Sequence, residues 1–224
     1  MEFLRKAGAV AWKDLRAEWR TREMFSAMFV FALLVIIIFN FALELRAESA
    51  RALVPGILWV AFTFAGMLGL NRSFIQEKDR GSLEGLLLCP VDRSAIYLGK
   101  MLANAALMGV VELFILPVSF VLFNLPFGTL PMLVVVAALG TLGFAGVGTL
   151  FSAMAVNTRA REVMLPMLLF PVAVPLIIAA VKLTAGILDG LALSELARWW
   201  QLLVGFDVIF LTLSFMTFDY VIEE

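Results

Sequence analysis

The sequence predicts an all-α membrane protein, with six transmembrane helices preceded by a helix lying along the membrane surface. Three observations carry that prediction. Of the 224 residues, 62% are hydrophobic and 16% charged, with a mean hydropathy of +1.00, which is too little polar surface for a water-soluble chain of this size. The apolar residues gather into six stretches, each able to cross a hydrocarbon core of ~30 Å as about 20 helical residues. The strict alternation that a membrane β-barrel requires is absent. No segment between the stretches is long enough for an extramembrane domain, so residues 1–224 read as one domain.

Residues 1–23 carry charges throughout, unlike a cleavable signal with its uninterrupted apolar core. Leu4, Ala7, Ala11, Leu15 and Trp19 recur at helical spacing, while Arg5, Lys6, Lys13, Arg16, Arg20 and Arg22 supply a basic remainder suited to lipid headgroups. An amphipathic interfacial helix is the expectation, with a solvated helix leading into the first span as the plainer alternative. The spans follow at Met24–Leu43, Leu53–Asn71, Ala95–Phe123, Leu130–Val156, Val163–Thr184 and Trp199–Val221.

Sidedness follows from Lys and Arg in the short connections, because positive charge is retained in the cytoplasm. The N-terminal segment holds six basic residues; Arg72, Lys78, Arg80, Arg93 and Lys100 lie around the connection after the second span, and Arg159 and Arg161 follow the fourth. Only Arg46, Arg51, Lys182 and Arg198 fall on the other side. Both termini are therefore expected in the cytoplasm.

Within the spans, ionisable residues stand out because charge at membrane depth is costly. Glu112 lies deep in the third span, with Pro117 placed to kink it, and Asp207 lies in the sixth; Asn40, Asn71 and Asn104 are weaker polar positions. Each of these lines a path or interface or simply bonds a neighbouring helix. In the fourth span Ala137, Thr141, Ala145, Thr149 and Ala153 recur every four residues beside Gly140, Gly143, Gly146 and Gly148, a pattern for close helix packing within the chain or with a second copy. Lys182 is placed to snorkel near the end of the fifth span. Residues 185–198 are expected as an outer-side re-entrant or surface segment, with Trp199 and Trp200 at the interface.

The chain contains no histidine and one cysteine, Cys89. That composition removes the commonest general base and metal ligand, excludes an intrachain disulfide, and leaves no metal site to assign. The eleven methionines are scattered among apolar neighbours and read as packing or lipid-facing residues. No phosphate-cradling glycine loop of the G-x-x-x-x-G-K-[ST] type occurs, so nucleotide hydrolysis is not expected of this chain.

The most patterned polar segment is residues 72–94, RSFIQEKDRGSLEGLLLCPVDRS. Leu83, Leu86 and Leu87 fall on one helical face and Glu77, Arg80 and Glu84 on another, with Pro90 ending the helix and Asp92 or Ser94 placed to cap the next. A short helix of mixed charge beneath the membrane suits a groove on a soluble partner.

The run from Glu77 to Arg93, continuing through Ile96-Tyr-Leu-Gly-Lys100, resembles the loop between the second and third spans of ABC-2-type permeases, and more narrowly the CcmB family of cytochrome c maturation. Asn157-Thr-Arg-Ala-Arg-Glu-Val-Met-Leu-Pro166, followed by Pro171 and Pro175, and the closing Phe218-Asp-Tyr-Val-Ile-Glu-Glu224 are similar to that family too. The resemblance covers essentially the whole chain; Cys89 stands where a small residue such as Ser is expected. It implies an ABC-2-type (type V exporter-like) permease subunit that is not itself an enzyme. ATP and Mg would be bound by a separate CcmA-like cytoplasmic ATPase. It further implies a CcmC-like heme-handling membrane protein, a CcmD-like single-span subunit and a CcmE-like periplasmic heme chaperone. The complex would handle heme with none bound directly to this chain, which would act as a homodimer in membrane lipid, with no nucleic-acid partner. Docking of the ATPase would fall to Glu77, Asp79, Arg80, Leu83, Glu84 and Arg93, with auxiliary contacts from Asn157, Arg159, Arg161 and Glu162.

Three other readings of the residues stay open. An ABC-2-type exporter of a lipid, drug or polysaccharide predicts a substrate-sized cavity between two copies. A membrane scaffold needs no ATP cycle. An intramembrane enzyme needs paired polar groups at one depth, for which Glu112 and Asp207 are the available pair.

Overall fold

A computed structural model describes residues 2–43, 47–79, 85, 91–156, 158 and 160–223, with backbone alone at 47–51, 76, 77, 79, 161, 162, 222 and 223. Among the described residues, seven long helices make up the fold: α1 (Glu2–Thr21), α2 (Glu23–Leu43), α3 (Ala47–Asp79), α4 (Arg93–Leu122), α5 (Leu130–Val156), α6 (Arg161–Leu188) and α7 (Ala197–Glu223). Six of the described segments are long and apolar enough to cross a membrane: Glu23–Leu43, Ala52–Ile75, Arg93–Leu122, Phe127–Val156, Val163–Leu188 and Ala197–Val221. These match the six spans read from the sequence to within a few residues. Among the described residues there is no β-strand, and the chain is an all-α, multi-pass membrane protein. The largest departure is α3, whose 33 residues extend about 50 Å, longer than a ~30 Å core requires.

The helix α5 is the hub, touching α3, α4, α6 and α7. It carries no charged residue, and its glycines admit large neighbours to the backbone. A Cβ at Gly140 would strike Trp59 and one at Gly148 would strike Leu70, both on α3; at Gly143 it would strike Asp207 and at Gly146 Leu211, both on α7. The small-residue stripe is buried throughout, at Ala137, Thr141, Ala145, Thr149 and Ala153. Its partner is within the chain: Thr141 and Thr149 both bond α4, as described below.

Helix ends are closed by backbone motifs. At the end of α6, Leu191 N donates to Gly186 O (2.9 Å) and Gly190 N to Ile187 O (3.2 Å), with Gly190 at φ 75°. This paired 6→1 and 5→2 pattern needs a left-handed residue, which glycine supplies without a Cβ clash. The end of α4 repeats it with Asn124 at φ 49°, through Leu125 N to Phe120 O (2.9 Å) and Asn124 N to Val121 O (3.4 Å). Residues 185–198, expected as a re-entrant or surface segment, are thus divided. The first four continue α6, because Gly186 and Ile187 keep its buried face against Leu196; the exposed turn from Asp189 leads directly into α7. Pro117 lies inside α4 without ending it.

The α1 helix presents its faces differently from the expected single apolar stripe. Ala7, Val10 and Glu18 are buried toward the bundle, whereas Leu4, Trp12 and Trp19 are 67%, 66% and 79% exposed. Its elbow with α2 is one residue wide: Arg22, at φ 55°, donates its N–H to Glu18 O (2.7 Å). The Glu18 carboxylate then accepts the Phe25 N–H (2.8 Å), satisfying a first-turn donor of α2 and meeting the positive end of its dipole.

Candidate functional site

The α3–α4 connection is the segment expected to dock a partner. Arg80, Leu83 and Glu84, the predicted amphipathic helix around them and Cys89 lie outside the described residues, as do Asn157 and Arg159. Glu77 and Asp79 end α3, and Arg161 and Glu162 begin α6, with backbone positions alone described. What the structure does define is how both ends of the connection are fastened. Lys78 Nζ donates to Val156 O (3.0 Å), placing an ammonium on the negative C-terminal end of α5. Arg93, half-buried at the start of α4, donates from Nη1 to Asp219 O (3.3 Å), and Ser94 Oγ donates to Asp219 Oδ1 (3.1 Å). Arg93 therefore ties the connection to α7. Deeper, Ser152 Oγ on α5 donates to Leu70 O on α3 (2.7 Å).

The connection is also tied to α1. Lys100, completely buried, lies 3.2 Å from Asp14 Oδ2 and 3.4 Å from Ser73 O, with its ammonium 4.6 Å from the Phe74 ring centroid. Desolvating an ammonium is costly, and the carboxylate, carbonyl and aromatic face together replace its water. One residue earlier, a Cβ at Gly99 would lie 2.6 Å from Ala7 O and 2.7 Å from Val10 Cβ, so α1 crosses α4 at a glycine. Phe218 of α7 completes this end of the core, with ring centroids 5.1 Å from Tyr97 and 6.5 Å from Phe74. Sequence reasoning counted Lys100 as a basic flank and passed over Asp14. The available signal was the spacing of Asp14 four residues after Val10 and seven after Ala7, which puts all three on one side of a predominantly basic helix.

Inside the spans, Glu112 accepts a short hydrogen bond from Thr141 Oγ1, and Asn104 Nδ2 donates to Thr149 Oγ1 (3.0 Å). The partners are eight residues apart on both antiparallel helices, which gives α4 and α5 a two-rung polar register. Glu112 also lines a small cavity with Trp59, Thr63, Met108 and Gly140, and Trp59 Nε1 donates to Thr184 Oγ1 on α6 (3.0 Å). Asn40 reaches from α2 to Leu122 O (2.8 Å). Asp207 is different: both carboxylate oxygens are buried with no hydrogen-bond partner among the described residues, pressed against Gly143. Thr141 and Gly143 point about 200° apart around α5. The structure therefore separates Glu112 from Asp207 by that helix, and the pair an intramembrane enzyme would need is not assembled. Among the described residues no three Cys, Asp or Glu side chains converge as a metal site requires.

A family profile described as CcmB protein matches residues 5–223. The chain belongs to the CcmB family. Among similar curated proteins, heme exporter protein B of Rhodobacter capsulatus is 30% identical over 181 residues, covering 81% of this chain and 83% of its own. Heme exporter protein B of Pseudomonas aeruginosa is 26% identical over 202 residues, covering 90% and 89%. The protein of the same name from Paracoccus denitrificans is 30% identical over 166 residues, covering 74% and 76%. The CcmB match begins inside α1 and runs through α7, so most of α1 and all six spans belong to the matched region.

Proposed function

We propose that this CcmB-family chain is the membrane permease subunit of an ABC transporter for heme export in cytochrome c maturation. It converts ATP hydrolysis in a separate cytoplasmic ATPase into helix movement and release of the heme-loaded periplasmic chaperone. The observation that carries the reading is the near-complete family match with relatives named heme exporter protein B. The anchoring of the α3–α4 connection supports the coupling part: Lys78, Arg93, Ser94 and Lys100 join its flanks to α5, α7 and α1, so a push on the connection reaches three other helices. In this reading the α1 end of the bundle faces the cytoplasm, as the basic residues demand, and α1 lies along the inner-membrane surface. Two copies work with two ATPase subunits, beside a heme-handling membrane protein, a small single-span subunit and the chaperone.

Docking is assigned to Glu77, Asp79, Arg80, Leu83, Glu84 and Arg93, with Asn157, Arg159, Arg161 and Glu162 as auxiliary contacts. Co-purification with the cytoplasmic ATPase subunit tests the assignment. Arg80→Glu and Glu84→Lys are each expected to release the ATPase while the permease stays in the membrane; undiminished co-purification and ATPase activity in both variants refutes it.

A further inference from the structure

Among the described residues, the acidic side chains around α1 are all committed. Glu2 lies 3.3 Å from Lys6, and Asp14 lies 3.2 Å from both Lys13 and Lys100. Glu18 caps α2, and Glu23 lies 3.9 Å from Arg72. Arg5, Arg16 and Arg20 are left exposed, with no ion pair or hydrogen bond among the described residues. At about 100° per residue, these three share one edge of the helix, away from the buried Ala7 and Val10. Trp12 and Trp19 flank that edge, exposed on the side that also carries Leu4 and Leu15. The helix thus has three faces in order around its axis: one against α4, one apolar and outward, and one of unneutralised arginine, with indole rings at the border of the last two. Indoles settle at headgroup depth, and guanidinium forks match phosphate oxygens in bidentate geometry.

We propose that this outward edge of α1 is a binding surface for anionic phospholipid headgroups, with Arg5, Arg16 and Arg20 engaging phosphate and Trp12 and Trp19 anchoring the helix in the interface. The proposal rests on the reading of α1 as a membrane-surface helix and adds to it a selectivity for negative lipid. It also gives the lipid a lever. Gly99 and the Lys100–Asp14 pair lock α1 to the start of α4, so headgroups that hold α1 also hold one flank of the coupling connection.

The test is quenching of tryptophan fluorescence in the full-length protein reconstituted into bilayers of mixed phosphatidylglycerol and phosphatidylcholine, with bromine on the acyl chains of one lipid or the other. Subtracting a Trp12→Phe/Trp19→Phe variant isolates the two indoles of α1. Each basic residue near an anionic surface strengthens attraction about fivefold. Brominated phosphatidylglycerol is therefore expected to quench several-fold more than brominated phosphatidylcholine at equal mole fraction. The excess should disappear in Arg5→Gln/Arg16→Gln/Arg20→Gln, persist when the three become Lys, and fall in 1 M salt, where the screening length is about 3 Å. The single Arg16→Gln variant carries the same test at lower amplitude if the triple variant does not fold. Equal quenching by the two lipids overturns the selectivity and leaves the surface-helix reading standing; absence of quenching by either overturns that reading. Loss of the phosphatidylglycerol excess on adding the ATPase assigns the arginine edge to a protein partner and overturns the proposal.

Discussion

An ammonium group as fully buried as that of Lys100 survives in the fold only with partners that replace water, and the Asp14 carboxylate is among them. Removing Asp14 withdraws that counter-charge. Asp14→Ala is expected to destabilise the protein by about 3 kcal/mol, read as an earlier melting transition in detergent, and Asp14→Ala/Lys100→Met to recover much of the loss. A double variant that melts no later than Asp14→Ala shows that packing, not charge, holds α1. The Asn104–Thr149 rung between α4 and α5 is neutral and smaller. A double-mutant cycle on Asn104→Leu and Thr149→Val should give a coupling near ~0.6 kcal/mol, the usual scale for hydrogen bonds between membrane helices. Glu112 engages Thr141 and faces the small cavity, so Glu112→Gln retains the bond and the volume while removing the acid. Under the proposed function it should impair maturation of c-type cytochromes with the protein still present in the membrane. Normal maturation returns Glu112 to a packing role.

At the scale of elements, α5 depends on absent side chains. Gly148 receives the tip of Leu70 and Gly140 the indole ring of Trp59, both buried, so a side chain at either position must push a packed α3 side chain out of place. Gly148→Leu is expected to cost at least 1–3 kcal/mol by overpacking, measured as loss of folded, monodisperse protein, whereas Gly56→Ala on α3, which meets no atom within 4 Å, should be tolerated. The six spans were legible because length and hydropathy alone specify a helix that must satisfy its own backbone in lipid. The division of residues 185–198 was legible in part: Gly190 is a recognisable cap, but the burial of Leu196 on Gly186 depends on how α6 meets α7. Which way α1 turns its faces was not legible for a related reason. Leu4, Ala7 and Trp19 share helical spacing, yet only the crossing at Gly99 turns Ala7 inward and leaves the other two outward.

For the whole molecule, one end concentrates the ties that join α1, α3, α4, α5 and α7, and the other is closed by short capped turns. That asymmetry parallels the distribution of basic residues, which a net charge of −1 conceals. The sequence by itself determined the class of the protein, the number of crossings and the family, because lipid as solvent dictates the composition and length of every span and because the motifs lie in continuous runs. Only the tertiary structure decided that the α5 stripe serves α4 within the same chain, that Glu112 and Asp207 stand on different sides of α5, and that Lys100 pairs with Asp14. Thr141 and Glu112 are 29 residues apart, and Lys100 and Asp14 are 86 apart. Helical periodicity says which residues share a face; which helix that face meets follows from rotations and crossings set by the packing of all seven helices together.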